Sequence, residues 1–113
     1  MADVQLARCE IKPGKEDELR EWYDALEHER FEETAATLIS EGTLTESAFI
    51  QTSENGPSYL YVVMETTDAD EPRTADAEEQ QIDADHHDVL AETLVGKEWE
   101  EFESIAHLVH PER

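Results

Sequence analysis

Histidines are the first candidates in this chain for acid–base catalysis or metal binding. His86 and His87 are adjacent, and His107 and His110 lie near the carboxyl end. A buried imidazole can act as a general base or bind a metal ion, and it can equally be a core residue held by one hydrogen bond. His86 keeps helical spacing with apolar residues, so we expect it to point inward. His87 lies about 100° further round the helix and should be solvated.

The carboxyl-terminal histidines raise the question of a metal site. In a final strand they would lie on opposite faces, and we expect His107 to share a face with Glu10 and Glu65. Two histidines and two carboxylates could bind a divalent metal. However, the chain contains no H-x-H, H-x-x-x-H or H-E-x-x-H spacing. We therefore predict no metal site and no resident cofactor.

The remaining candidates lie on predicted strands. For an enzyme, His86 or His107 would be the base and Tyr61 would position an aromatic substrate. The ligand-binding candidates share the mixed polar and apolar side of the strands with Tyr61, and they are Arg8, Glu10, Phe49 and Glu65. A simpler role for Arg8 and Glu10 is a charge network that stabilises a dimer.

Cys9 is the only cysteine, so no intrachain disulfide can form. A catalytic thiol needs a lowered pKa and access to solvent. Cys9 falls on the apolar side of the first predicted strand, so we expect it to be a small buried filler.

The strand that should organise the fold is the run YLYVVME at residues 59–65. Its density of aromatic and β-branched residues is typical of a strand buried on both sides. Leu60, Val62 and Met64 form an apolar face that should lie under helices. Tyr61 and Glu65 belong to the opposite, mixed face, which should look into a pocket or towards a partner subunit.

Other patterns predict the remaining elements. Alternation predicts strands over residues 4–12, 43–52 and 104–110, with Leu44 on the apolar side of the second. A helix should run from Lys15 to Glu41 and end at Gly42. Its two apolar stripes are rotated by roughly a third of a turn, which predicts a bend or break between Glu27 and Arg30, or a second partner for the later stripe, which includes Phe31 and Leu38. A second helix should begin with a capping box at residues 76–79 and end before Gly96.

The charge is the strongest compositional signal. The chain has 30 acidic and 8 basic residues, a formal net charge of -22. Acidic residues occur in every segment, which resembles proteins from organisms that keep molar salt in the cytoplasm. The scarcity of basic residues argues against nucleic acid as a partner. No apolar run approaches the ~20 residues of a membrane helix, so we expect a soluble cytoplasmic protein.

The predicted order is strand, helix, strand, strand, helix, strand. This order indicates a single α+β domain over residues 1–113, with the ferredoxin-like βαββαβ arrangement of a four-stranded antiparallel sheet and both helices on one face. The other face of the sheet is half apolar and would be exposed to solvent in a monomer. Because exposed apolar patches usually mark an interface, we expect a homodimer that packs sheet against sheet.

Several short motifs carry a resemblance to a known family. They are the KPGK turn at residues 12–15, the LREW helix start at 19–22, the YLYVV strand at 59–63 and the HH pair at 86–87. Together they resemble the dimeric α+β barrel superfamily, which includes antibiotic-biosynthesis-monooxygenase-like proteins. Within it, the chain is most similar to a domain of unknown function from salt-loving archaea and some bacteria.

The resemblance implies a dimeric barrel and leaves the activity open. Some members of the superfamily oxidise quinol-like substrates without a bound cofactor, others degrade haem, and many have no assigned activity. The leading hypothesis is a salt-adapted homodimer that binds a small apolar ligand. The alternative is a cofactor-independent, monooxygenase-like enzyme acting on an aromatic substrate.

Overall fold

The computed structural model describes residues 3–67 and 81–112. Within these ranges the elements follow the order β1 (Asp3–Ile11), α1 (Glu16–Glu27), α2 (Phe31–Glu41), β2 (Thr43–Gln51), β3 (Ser58–Thr66), α3 (Gln81–Thr93) and β4 (Glu100–Phe102). The strands form one antiparallel sheet in the order β2-β3-β1-β4. The fold is therefore α+β. No helix in the described ranges is long and apolar enough to cross a membrane.

The central strands divide the sheet into the two faces that alternation predicts. Cys9 of β1 pairs with Leu60 of β3, and both are buried. Their face, which we call the helix face, packs against α1 and α3. Arg8 pairs with Tyr61 on the opposite side, which we call the tyrosine face. The predicted side of each residue in β1 and β3 is confirmed, because strong pairing on both sides of β3 fixes the register.

A small core lies between the helix face and the helices. Leu19 of α1 and Leu60 of β3 are 0% exposed, and Leu94 after α3 is 3% exposed. Tyr23, Val89, Leu90 and Trp99 pack around this cluster. Burying each such leucine contributes roughly 1.5–3 kcal/mol, so these contacts hold the helices on the sheet. The expectation that Cys9 fills space in the core is met, since it is 2% exposed.

The predicted long helix is two helices, and the break falls where the stripes predicted it. The first helix, α1, ends at Glu27, and α2 begins at Phe31. The backbone N–H of Arg30 bonds back to the carbonyl of Ala25 at 2.8 Å, which closes the turn. The Arg30 side chain also donates to Asp85 of α3 at 2.8 Å. The break thus turns α2 away from α1 while Arg30 ties the junction to α3.

Gly42 ends α2 in the left-handed conformation, with φ of 70°, as its position predicts. The next strand begins with a bulge between Thr43 and Thr45. Leu44 lies in this bulge and is 51% exposed, so the prediction that it faces the core was wrong. A bulge inserts one unpaired residue and interrupts the alternation on which that prediction depended.

The fourth strand is also displaced from its predicted place. Glu100–Phe102 forms β4, whereas residues 104–110, predicted as the last strand, have no regular secondary structure. In β4, Glu100 pairs with Arg8 and Phe102 pairs with Leu6. The pairing of Glu100 with the only strand cation on β1 and the packing of Trp99 on the core favour this earlier segment. The predicted capping box at residues 76–79 lies outside the described residues.

Candidate functional site

A cavity of about 730 Å³ lies among α1, α2, α3 and β2. Its apolar lining comes from every one of these elements and consists of Leu26, Phe31, Leu38, Ala48, Phe49 and Ile82. Its polar lining consists of Tyr23, Glu27, Thr34, Thr37, Glu41, Glu46, Ser47, Asp83, His86 and His87. Apolar atoms make up most of the lining surface although polar residues are more numerous, and the volume falls in the usual range of small-molecule sites, about 300–1,000 Å³.

The cavity lies beside α2, which contacts β2 without closing against it. No residue of α2 is buried, and Phe31 at its start is 53% exposed. The apolar stripe that includes Phe31 and Leu38 was predicted to need a partner of its own. In the structure this stripe lines the cavity, and the helix break holds it there.

His86 projects from α3 and is held by an aromatic pair on α1. Trp22 donates its indole N–H to His86 Nδ1 at 2.8 Å. The Trp22 ring stacks on the imidazole and the Tyr23 ring meets it edge-on, each with ring centres 6.0 Å apart. Because an indole can only donate, Nδ1 is unprotonated and the neutral ring carries its proton on Nε2. His86 therefore offers the cavity a hydrogen-bond donor.

The surroundings of His86 favour its neutral form. Burial lowers the pKa of His86, the neighbouring His87 lowers it further, and Asp83 acts in the opposite direction. Arg30 helps to hold the Trp22 ring in place, because its guanidinium lies 5.5 Å from the centre of that ring. Arg30 in turn binds Glu33 and Asp85, each at 2.8 Å. This cluster makes Trp22 a fixed donor.

Tyr23 and Glu46 form the other polar part of the lining. Burial raises the pKa of Tyr23, and the charge of Glu46 raises it further, so the two groups are close. Loss of hydration also raises the pKa of Glu46, with a further contribution from Glu41. Among the described residues, Glu46 has no hydrogen-bond or ion-pair partner, although its surface is accessible from the cavity. A partly desolvated carboxylate of this kind gains from any donor or cation that enters.

The ligand-binding candidates predicted on β1 and β3 lie on the tyrosine face, outside the cavity. The Arg8 guanidinium stacks over Tyr59 at 4.1 Å from the ring centre and binds Glu100. Its Nη1 donates to the Tyr61 hydroxyl at 3.1 Å, and that hydroxyl donates to Gln51 at 2.7 Å. These side chains satisfy one another, which suits an interface better than a catalytic centre.

A second polar group on the tyrosine face surrounds Glu65. This residue is 5% exposed, accepts a hydrogen bond from the Thr45 hydroxyl at 3.3 Å, and has His107 Nε2 at 3.5 Å. His107 thus lies on the side of the sheet that carries Glu65, as predicted. The strand on which this prediction was based does not form, and the segment of His107 instead returns across the sheet without pairing.

The structure separates the candidate catalytic residues. His86 lies on the helix side, whereas Tyr61 and His107 lie on the tyrosine face. Along β3, Tyr61 is four residues from the Glu65 that holds His107, a distance of roughly 13 Å. Glu10 lies beside Tyr59 at the other end of the sheet. His86 and Phe49 are the predicted residues that reach the cavity.

Sequence reasoning missed Thr37 and Glu46 as cavity residues, and it favoured helix packing over pocket lining for Tyr23. Glu46 carried a signal that could have been used, because alternation puts it on the same side of β2 as Ala48 and Ile50. A carboxylate on an otherwise apolar side indicates a polar site or a gap in the packing. Tyr23 carried no such signal, since its spacing with Leu19 is that of an ordinary core residue.

Metal and thiol chemistry find no support in the described ranges. No group of three or more His, Cys, Asp or Glu side chains there could hold a metal ion. Burial raises the pKa of the Cys9 thiol, which keeps it protonated and unreactive.

Comparison with known protein families identifies a matching family model. The model of a family described as "Family of unknown function (DUF6176)" matches residues 2–113. No curated protein matches the chain.

Proposed function

We propose that this chain, which belongs to the family of unknown function DUF6176, is a homodimeric protein that binds a small, largely apolar ligand between its helices and its sheet. The observation that carries this proposal is the cavity of about 730 Å³ lined by α1, α2, α3 and β2. Each of these elements contributes apolar side chains to the walls, and the polar groups of His86, Tyr23 and Glu46 face the same cavity. Neighbouring side chains hold these groups in position and leave them able to form hydrogen bonds with a ligand.

The dimer is proposed on the tyrosine face. The strand order read from the opposite edge, β4-β1-β3-β2, together with helices packed on one face, supports a ferredoxin-like arrangement that could pair into a barrel. Phe49 and Phe102 on this side are 57% and 42% exposed. In the segment that returns across the sheet, Ile105 and Leu108 are 90% and 94% exposed. A second copy over this face would cover apolar surface that water otherwise contacts.

We further propose that the dimer works in the cytoplasm of a cell with molar internal salt. The formal net charge is -22, and the chain contains only three lysines, Lys12, Lys15 and Lys97. Two copies of such a chain repel each other in dilute buffer. At about 1 M salt the Debye length is about 3 Å, so that repulsion is largely screened and the apolar face can associate.

Ligand binding is tested with 2-naphthylmethanol, a neutral probe with an apolar body and one hydroxyl group. We expect saturable binding, measured by probe fluorescence in about 1 M KCl. Ala48 lines the cavity, so Ala48→Phe should fill it and abolish binding. Ala36→Phe, on the exposed side of α2, is the matched control and should bind as the wild type does. Equal binding by both variants would overturn the proposed site.

The dimer is tested by light scattering in the same salt. The wild type should have the mass of two chains. Val63→Glu puts a carboxylate at the centre of the tyrosine face and should give a monomer, because burying an unpaired charge between two sheets is strongly unfavourable. Ile39→Glu, at a position that is 78% exposed on α2, should remain dimeric. A monomeric wild type would contradict the proposed assembly.

A second candidate function, a cofactor-independent monooxygenase-like enzyme, is favoured by the contact of His86 with the cavity. The tautomer of His86 argues against its role as the base, because Nδ1 already accepts from Trp22 and Nε2 carries the proton. Oxygen uptake with 1-naphthol decides this point. An enzyme would consume oxygen at a rate that His86→Asn lowers by at least tenfold, whereas a binding protein would show the same background rate in both chains.

A further inference from the structure

We infer that the cavity selects an organic cation, namely a protonated amine attached to an apolar body, with Glu46 as its counter-ion. This inference rests on the proposed ligand-binding function and names the class of ligand. It combines a partly open cavity, the carboxylate of Glu46 in its lining and the aromatic rings of Tyr23 and Phe31 beside it. Surface acidity is a property of the whole chain and is not the basis of the inference.

Glu46 is an exposed residue, and its carboxylate lies in the lining of the cavity. It stands on the side of β2 that carries Ala48 and Ile50, and loss of hydration raises its pKa. No described residue forms a hydrogen bond or an ion pair with it. A cation that enters the cavity restores the interactions that the carboxylate has lost, and a charge-assisted hydrogen bond is the strongest way to do so.

The rings in the lining suit the same ligand. Tyr23 is close enough to Glu46 for the carboxylate to raise its pKa, and Phe31 also lines the cavity. The face of an aromatic ring attracts a cation, so these rings can hold an ammonium group and stack on an apolar body. Within the described residues, the cavity lining includes Glu27, Glu41, Glu46 and Asp83 but no lysine or arginine.

His86 offers a hydrogen bond to the rest of the ligand. His86 presents Nε2–H, because its Nδ1 is occupied by Trp22. The hydroxyl oxygen of Thr37 is buried and has no hydrogen-bond partner in the part of the chain that the structure describes. A ligand that carries an acceptor group as well as its ammonium could accept from His86 Nε2–H. An anionic ligand would meet Glu46 and gain no compensating cation.

The inference is tested with three probes of one shape: 2-naphthylmethylamine, 2-naphthylmethanol and 2-naphthoate. Binding is measured in about 1 M KCl, where the general attraction of an acidic protein for cations is screened and contact pairs are screened much less. We expect the amine to bind at least tenfold more tightly than the alcohol, as a charged hydrogen bond allows, and the carboxylate to bind at least tenfold more weakly. Glu46→Gln should remove the preference for the amine over the alcohol.

The controls separate this inference from the proposed function. Glu21→Gln removes an exposed carboxylate of α1 outside the lining and should keep the full preference for the amine. If the alcohol binds, Ala48→Phe blocks it and the amine binds no more tightly, the cation inference fails and the ligand site stands. The same conclusion follows if Glu46→Gln and Glu21→Gln behave alike. If none of the three probes binds the wild type, both proposals fail.

Discussion

At the scale of single residues, the hydrogen bond from Trp22 to His86 couples a protonation state to the packing of two helices. The bond requires an unprotonated Nδ1, because an indole N–H can only donate. A second proton on the imidazole would turn Nδ1 into a donor and leave two donors facing each other. Acid should therefore loosen the contact between α1 and α3 at the wall of the cavity.

The expected result is a stability that falls as the pH drops below about 6.5, the usual pKa of histidine. Since the folded pKa of His86 is lowered, the unfolded chain takes up the proton first. The contribution of His86 is complete above the unfolded pKa and is lost as the pH falls through the folded pKa. Urea unfolding between about pH 7 and about pH 5 measures this slope.

His86→Asn is the control, because the amide oxygen can still accept from Trp22 but does not titrate. Its loss of stability over the same range should be smaller than that of the wild type. The pKa of His28 is raised by Asp24, which gives a pH dependence of the opposite sign, but this contribution is common to both chains and cancels. Identical slopes would show that His86 is not held as described.

At the scale of elements, the contact between α1 and the sheet depends on Leu19. This side chain is 0% exposed and packs on Cys9, Ile11 and Leu60. Leu19→Ala should lower the free energy of unfolding by about 2–5 kcal/mol, because it removes buried methyl groups and leaves a cavity. Ile39→Ala removes the same number of carbon atoms from a position that is 78% exposed and should change stability by less than about 0.5 kcal/mol. Urea unfolding of both variants measures the difference, and similar losses would contradict the assigned core.

The junction between α2 and β2 depends on the conformation of Gly42. With φ of 70°, this residue is in the left-handed region that other residues adopt at a cost. Gly42→Ala should therefore lower the free energy of unfolding by about 1–2 kcal/mol. Gly56→Ala provides a matched control, since Gly56 has no positive φ and its added Cβ would lie 3.6 Å from Ser53 Cβ, an ordinary contact. Thermal unfolding that shows equal effects for the two changes would argue against the cap.

At the scale of the whole molecule, the net charge of -22 sets the conditions for folding. The Debye length falls from about 10 Å at 0.1 M salt to about 3 Å at about 1 M. Screening over this range should weaken the repulsion among the carboxylates, so the free energy of unfolding should rise. Urea titrations of the wild type at the two KCl concentrations measure the change. Stability that is unchanged or lower in the higher salt would contradict the proposed adaptation.

The sequence by itself determined the features that depend on local periodicity. Alternation assigned the sides of β1 and β3, the rotation between two apolar stripes located the break after Glu27, and Gly42 marked the end of α2. Each of these follows from geometry within one segment, where side chains repeat every two or about 3.6 residues. The helical spacing of His86 likewise predicted that it points inward.

Tertiary structure alone decided which of these residues meet. A bulge exposed Leu44, and pairing with β1 selected Glu100–Phe102 as the fourth strand in place of residues 104–110. The cavity lies where the apolar stripe of α2 stays partly exposed beside β2, which no pattern within α2 could reveal. Sequence spacing reports which side a residue faces, but the gap between packed elements depends on contacts between distant segments. For that reason the cavity beside His86 and Glu46 became visible only in the folded chain.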